Sequence, residues 1–152
     1  MFHQGKYRPK NPQKYAGDPT NIIYRSSWEL RFMIWADEKP SVTKWRSEET
    51  VIPYISPIDN KYHRYFVDFQ VQVKTKEGTL KTYLIEIKPE SQTKPPEIQR
   101  RVTQKYLTEV VNWGKNEAKW KAAREFAKDR GWEFIILTEK HLGIKPEWYK
   151  NK

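Results

Sequence analysis

Apolar side chains recur along this chain with two periods, and the switches between them mark out its elements. From Ser26 onward Trp28, Phe32, Trp35 and Ala36 return at helical spacing, with Met33 beside them and Pro40 as the stop, which predicts a helix. Thr43 to Ile55, carrying Trp45, Val51, Ile52, Tyr54 and Ile55, reads as a connection running into a first strand, broken by Pro57 and turned at Asp59-Asn60. From about His63 to Lys74 the pattern alternates. Tyr65, Val67, Phe69, Val71 and Val73 fall on one side and Arg64, Asp68, Gln70 and Gln72 on the other, as in one strand with a core face and a polar face. Glu77-Gly78 supplies the next turn, and the strand after it sets Tyr83, Ile85 and Ile87 against Leu84, Glu86 and Lys88. The polar faces of these two strands are expected to coincide.

Pro95-Pro96 opens a predicted helix from Glu97 to about Val111, with Ile98, Val102, Tyr106 and Val110 on a rough stripe. A second helical piece, Asn116 to Asp129, has Ala122, Ala123, Phe126 and Ala127 on its apolar side, a Glu117–Lys121 pair outside, and Gly131 placed to cap its end. Trp132 to Leu137 has the pattern of a short buried strand, and Thr138 is placed to cap a last helical turn. The predicted order is αβββααβ, an α/β fold with a mixed β-sheet core flanked by helices. Residues 1 to about 20 are rich in Lys, Tyr, Asn and Pro and lack an apolar period, so they read as a basic arm or a surface-hugging extension. The expected division is an N-terminal arm over 1–22, one domain over 23–144 and a tail over 145–152.

Composition narrows the chemistry. A chain of 152 residues buries roughly two-thirds of its unfolded surface, enough for a core without staples. Having no cysteine and only three scattered histidines, it offers no thiolate site and no zinc spacing, so any metal must be held by oxygen. The balance of 29 Lys and Arg against 19 Asp and Glu gives a net charge of +10, and with 14% aromatic residues this favours nucleic acid as the partner. No apolar run approaches a membrane span, no basic amphipathic helix stands outside the expected core, and the first residues lack the apolar region of a secretory signal. A soluble, intracellular protein is expected.

The candidate chemistry lies on the two alternating strands. Asp68 and Glu86 stand a hairpin apart, so their carboxylates can meet across neighbouring strands, and Lys88, two residues beyond Glu86, projects to the same face. Two carboxylates, with the backbone carbonyl of Ile87 as a third oxygen, suit Mg²⁺ or Mn²⁺, and such an ion supplies much of what phosphodiester hydrolysis requires. Lys88 is read as orienting water and stabilising charge rather than as a general base. The plain alternative is a same-face charge pair on an exposed strand, kept for solubility. Glu29 also has two open readings, because Ser26-Ser27-Trp28-Glu29 matches a capping box, while a Glu29 facing the notch would bind the metal. Arg100, Arg101, Lys105, Lys115 and Lys119 either track a DNA backbone or form a solvated helix face. Trp45, Trp113, Trp120 and Trp132 sit in apolar patterns and are expected in the core.

A resemblance extends this reading. Tyr24-Arg25-Ser26-Ser27-Trp28-Glu29, Val67-Asp68-Phe69, Ile85-Glu86-Ile87-Lys88-Pro89 and Trp120-Lys121-Ala122-Ala123 resemble the head completion nucleases of T4-like phages. These are relatives of the TnsA-like endonucleases within the PD-(D/E)xK, restriction-endonuclease-like superfamily. The resemblance implies a Mg²⁺-dependent nuclease acting on double-stranded DNA with little sequence preference, late in virion assembly, trimming packaged ends so that heads accept tails. It also implies an active site of Glu29, Asp68, Glu86 and Lys88, a place in the host cytoplasm or the virion head, and phage head or portal proteins as partners. Val67 stands where the superfamily carries a proline, and Gln104 is followed by Thr108 in place of a Gln-x-x-x-Tyr helix motif. Two other functions fit the same residues: a non-catalytic basic DNA-binding protein of the virion head, and the nuclease subunit of a transposition complex.

Overall fold

The computed structural model describes residues 4–142. The expected tail over 145–152 lies outside them. The helix predicted after Ser26 is α1, Ser27–Glu38. The Ser26 hydroxyl accepts the Glu29 amide at 3.1 Å, satisfying one of the free N–H groups of the first turn. The inner face of α1 buries Phe32, Met33 and Ala36, and the chain beyond it enters the sheet.

The stretch expected to hold one strand contains two, which belong to different sheets. β3, Val42–Ser47, lies at the edge of a four-stranded sheet, and β4, Val51–Ile55, pairs antiparallel with β5, Tyr62–Phe66, in a separate ribbon. Between them Glu48 adopts a left-handed backbone with φ of 53°, which swings the chain out of the sheet at a local conformational cost. The strand expected from His63 to Lys74 is likewise split. β5 ends at Phe66 and β6 runs Phe69–Lys74.

That break overturns the expected single apolar face. Phe69, Val71 and Val73 pack with Phe32, Met33 and Trp45 on the α1 side, whereas Tyr65 and Val67 pack with Ile52, Leu84, Trp120 and Ala123. The step at Val67-Asp68 is held by hydrogen bonds from the Val67 amide to the Thr50 carbonyl and from the Glu48 amide to the Asp68 carbonyl, at 3.2 and 3.0 Å. Strict alternation therefore conceals a crossing between layers, because period two records only relative facing within an unbroken strand.

The main sheet has the order β3-β6-β7-β8, with β7 spanning Leu80–Ile87 and β8 spanning Glu133–Leu137. β3, β6 and β7 are antiparallel neighbours, and β8, the strand predicted after Trp132, joins β7 in parallel. A parallel return requires a long crossover, and α2, Gln104–Asp129, supplies it. One continuous helix replaces the two predicted pieces. It begins at Thr103, whose hydroxyl accepts the Tyr106 amide, so Pro95-Pro96 lies outside it in non-helical chain. Gly114 does not interrupt it: a glycine costs a helix only about 1 kcal/mol, and Trp113 and Trp120 meet edge to face across that stretch, ring centroids 5.9 Å apart.

α2 covers the sheet face that was expected to be polar. Trp120, Ala123 and Ala127 pack with Leu84 and the inner face of the β4–β5 ribbon, so β7 is buried on both faces from Thr82 to Glu86. Trp45 and Trp120 are in the core, and Trp113 and Trp132 lie against it, as expected.

Residues 4–20 hug the surface rather than forming a free arm. β1, Gly5–Tyr7, pairs with β2, Ile22–Tyr24, across the expected boundary at residue 22. Tyr15 is buried edge-on to Trp45, and Asp37, fully buried at the end of α1, accepts from the Tyr7 hydroxyl and the Lys10 and Asn11 amides at 2.5, 2.7 and 3.0 Å. The segment thus satisfies the carboxylate it covers. The α/β class, a mixed sheet between helices, holds.

Candidate active site

Four elements converge where β5 breaks into β6. Asp68 occupies the break, half-buried, and its Oδ2 accepts the Ile87 amide of β7 at 2.8 Å. Glu86, only 6% exposed, has its Oε1 bound by the Tyr65 hydroxyl at 2.6 Å. Asp68 and Glu86 therefore meet across β5–β6 and β7, as their spacing predicted. In an extended strand the N–H and C=O of one residue face the same edge, so the Ile87 carbonyl is turned to the Asp68 side. The next amide, of Lys88, bonds the opposite way, to the Leu137 carbonyl of β8 at 3.0 Å.

The electrostatics are those of crowded acids. Burial pushes the Asp68 carboxyl well above the usual carboxylate range; Glu86 and Glu29 push it the same way, while the Ile87 amide and Lys88 pull it back. Burial likewise raises Glu86, against the Tyr65 hydrogen bond and the fields of Lys88 and Lys119. Burial raises Glu29 as well, opposed by the hydrogen bond from the Arg25 amide. Burial and then the Glu86 charge hold the Tyr65 phenol far above its ordinary value, so it remains a donor.

Glu29 is held at the start of α1. Its amide binds the Ser26 hydroxyl while its carboxylate turns back onto the Arg25 amide at 3.1 Å, one residue before the position that a capping box would use. It is nonetheless near enough to Asp68 to raise its proton affinity. Glu29 is turned toward its own helix start, and the described residues contain no group of three or more His, Cys, Asp or Glu side chains arranged to hold a metal. The oxygen donors brought together are the two carboxylates and the Ile87 carbonyl. They fit a hard divalent cation, since they are all oxygen and carry repelling charge that such an ion would offset.

The basic residues divide. Arg100, Arg101 and Lys105 stand exposed around the start of α2. Lys119, by contrast, reaches into the site, its ammonium 5.6 Å from the Tyr65 ring centre and 5.9 Å from that of Tyr54, with Lys115 one turn earlier on the same face. Burial and Lys115 lower its proton affinity, and Glu86 raises it. Sequence reasoning placed Tyr65 in the core and Lys119 on a helix face, and assigned neither to the acids. The available signal for Tyr65 was that a buried phenol requires an acceptor. Of the residues left unassigned by sequence, His63 pairs with Asp59 in the ribbon turn at 2.8 Å, and the Arg46 guanidinium reaches Gln70 at 3.4 Å.

Residues 39–139 match the family described as TnsA-like endonuclease N terminal, a match that spans Asp68, Glu86, Lys88 and Lys119 and begins after Glu29. The chain is also 41% identical to the head completion nuclease of Enterobacteria phage T4, over 95% of this chain and 99% of that protein. A mixed sheet flanked by helices agrees with the family match. The chain belongs to the TnsA-like endonuclease family, nucleases of restriction-endonuclease-like fold.

Proposed function

We propose that this protein is a Mg²⁺-dependent deoxyribonuclease that hydrolyses phosphodiesters of double-stranded DNA with little sequence preference. The observation that carries the reading is the juxtaposition of Asp68 and Glu86, each raised by burial, beside Lys88 in a chain of net charge +10. Asp68, Glu86 and the Ile87 carbonyl would hold the ion, with Glu29 joining them by turning from the Arg25 amide. Bound there, Mg²⁺ or Mn²⁺ supplies Lewis acidity and a more acidic water.

The protein groups have separable roles. Tyr65 fixes one oxygen of Glu86, leaving the other for the ion, and the Ile87 amide does the same for Asp68. Lys88 orients the attacking water and opposes the charge that builds on the phosphate. The basic surface of Arg100, Arg101, Lys105 and Lys115 holds the duplex through phosphate contacts that carry no sequence information. Similarity to a head completion nuclease supports a role in phage head completion, trimming packaged DNA before tail joining, in the host cytoplasm and beside head or portal proteins.

Digestion of supercoiled and linear DNA in Mg²⁺, Mn²⁺ or EDTA, comparing wild type with Asp68→Ala, tests the proposal. Metal-dependent cutting by the wild type alone is expected. DNA binding without cutting in either metal would leave a basic DNA-binding head protein, and cutting that requires a partner subunit would favour a transposition nuclease.

A further inference from the structure

Lys119 lies one position from the buried stripe of α2: Trp120 follows it, and Ala123, one turn on, is wholly buried. Its apolar stem is thereby laid against the core, while its ammonium passes over the Tyr54 and Tyr65 rings toward the acids. A lysine kept only as a counter-ion would close an ion pair with Glu86. It does not: Glu86 takes its side-chain hydrogen bond from the Tyr65 hydroxyl, and among the described residues neither the Lys119 nor the Lys88 ammonium forms a hydrogen bond or ion pair. Two uncommitted ammonium groups thus approach the same pair of acids from different elements, Lys88 from the end of β7 and Lys119 from α2.

Resting on the nuclease reading above, we propose that Lys119 is a further catalytic residue, binding a nonbridging oxygen of the scissile phosphate from the helix side. A phosphodiester entering between the acids and α2 carries the negative charge this ammonium lacks a partner for. As hydrolysis proceeds, charge grows on the nonbridging oxygens, so a fixed cation at that point favours the transition state over the bound substrate. The two tyrosine faces hold the ammonium by cation–π attraction without consuming its N–H donors.

The test uses Lys119→Met, which keeps an apolar stem on the tyrosines, and Lys119→Arg, which keeps the charge. Cleavage is followed at saturating DNA and Mg²⁺, DNA affinity by fluorescence anisotropy in Ca²⁺, and folding by thermal melting. A phosphate contact at the reacting centre predicts that Lys119→Met loses about 100-fold or more in kcat, that Kd rises less than about fivefold, and that Lys119→Arg recovers part of the loss. Melting within a few degrees of wild type confirms that the variant is folded; if Lys119→Met melts lower, Lys119→Gln, which also removes the charge, is judged by the same kcat criterion against wild type. A Lys119→Met enzyme within threefold of wild type in kcat overturns the inference, as does a loss erased by raising Mg²⁺ or pH, which would mark a mere counter-ion of the acids. A weakened Kd with unchanged kcat would make Lys119 one more backbone contact and overturn it too. A wild type that cuts nothing overturns the nuclease reading itself, a result distinct from all of these.

Discussion

Asp68→Asn isolates what the charge of the acid pair costs the fold. Asparagine keeps the size of the side chain and an oxygen for the Ile87 amide, now 2.8 Å from Asp68, while deleting a charge that burial, Glu86 and Glu29 all oppose. Two like charges a few ångströms apart at an effective dielectric of about 20 repel by roughly 3 kcal/mol. Against that, a hydrogen bond to a neutral acceptor is weaker than one to a carboxylate by about 1 kcal/mol, and some attraction to Lys88 is lost. The net expectation for the metal-free protein is a gain of about 1–2 kcal/mol, or roughly 2–8 °C in melting temperature for a chain of this size.

The pH dependence has a definite sign. Asp68 and Glu86 hold their protons more tightly in the folded than in the unfolded protein. Their favourable contribution is complete below the ordinary carboxylate range near about pH 4 and is lost as pH rises through the raised folded values. Metal-free wild type should therefore melt lower at pH 8 than at pH 6. Asp68→Asn should flatten that slope, and millimolar Mg²⁺ should raise the wild type, most at pH 8, but not the variant. Thermal melts in EDTA and in Mg²⁺ at the two pH values measure all of this. An Asp68→Asn protein that melts below wild type in EDTA at pH 8 would refute the account of a repelling pair.

Three further outcomes follow from the same geometry. Glu29→Gln retains an oxygen for the Arg25 amide, so it should melt within about 1 kcal/mol of wild type in denaturant titration; cutting lost by orders of magnitude marks Glu29 as catalytic, and unchanged cutting returns it to the helix start. Tyr65→Phe strips the buried Glu86 of its donor, which should cost about 1–3 kcal/mol and raise the Mg²⁺ concentration for half-maximal cutting, less so at higher pH; an unchanged metal titration would show that the phenol does not position Glu86. Asp37→Ala leaves the Tyr7 hydroxyl and two amides without their acceptor, for a loss of about 3–5 kcal/mol in urea unfolding and faster proteolysis within the first twenty residues. Burial raises Asp37, but its hydrogen bonds outweigh that and hold it below the ordinary carboxylate range, so its contribution fades only in acid, below the window where Asp68 and Glu86 act.

Local patterns determined much of this protein. The spacing of Trp28, Phe32, Trp35 and Ala36 behind a Ser26 cap fixed α1, the apolar run after Trp132 fixed β8, and alternation at Asp68 and Glu86 placed two carboxylates within reach, because helix and strand periods are properties of a few consecutive residues. The family, too, was visible in short motifs. What the pattern could not encode is where a strand stops and changes layer. Tyr65 to Val73 alternate without a flaw, yet the chain crosses from the α2 side to the α1 side at Val67-Asp68, and only the hydrogen bonds to Thr50 and Glu48 decide that.

The same limit hid the site's surroundings. Whether the face bearing Glu86 meets water or a helix depends on the path of α2, some twenty residues away in sequence, and that path turned a presumed solvated face into a buried one. Once α2 lies there, Tyr65 has a carboxylate to bind and Lys119 has acids to face, neither of which is legible from neighbours along the chain. Residue type and spacing determine which groups are available; burial and long-range contact decide which of them are brought together and with what charge.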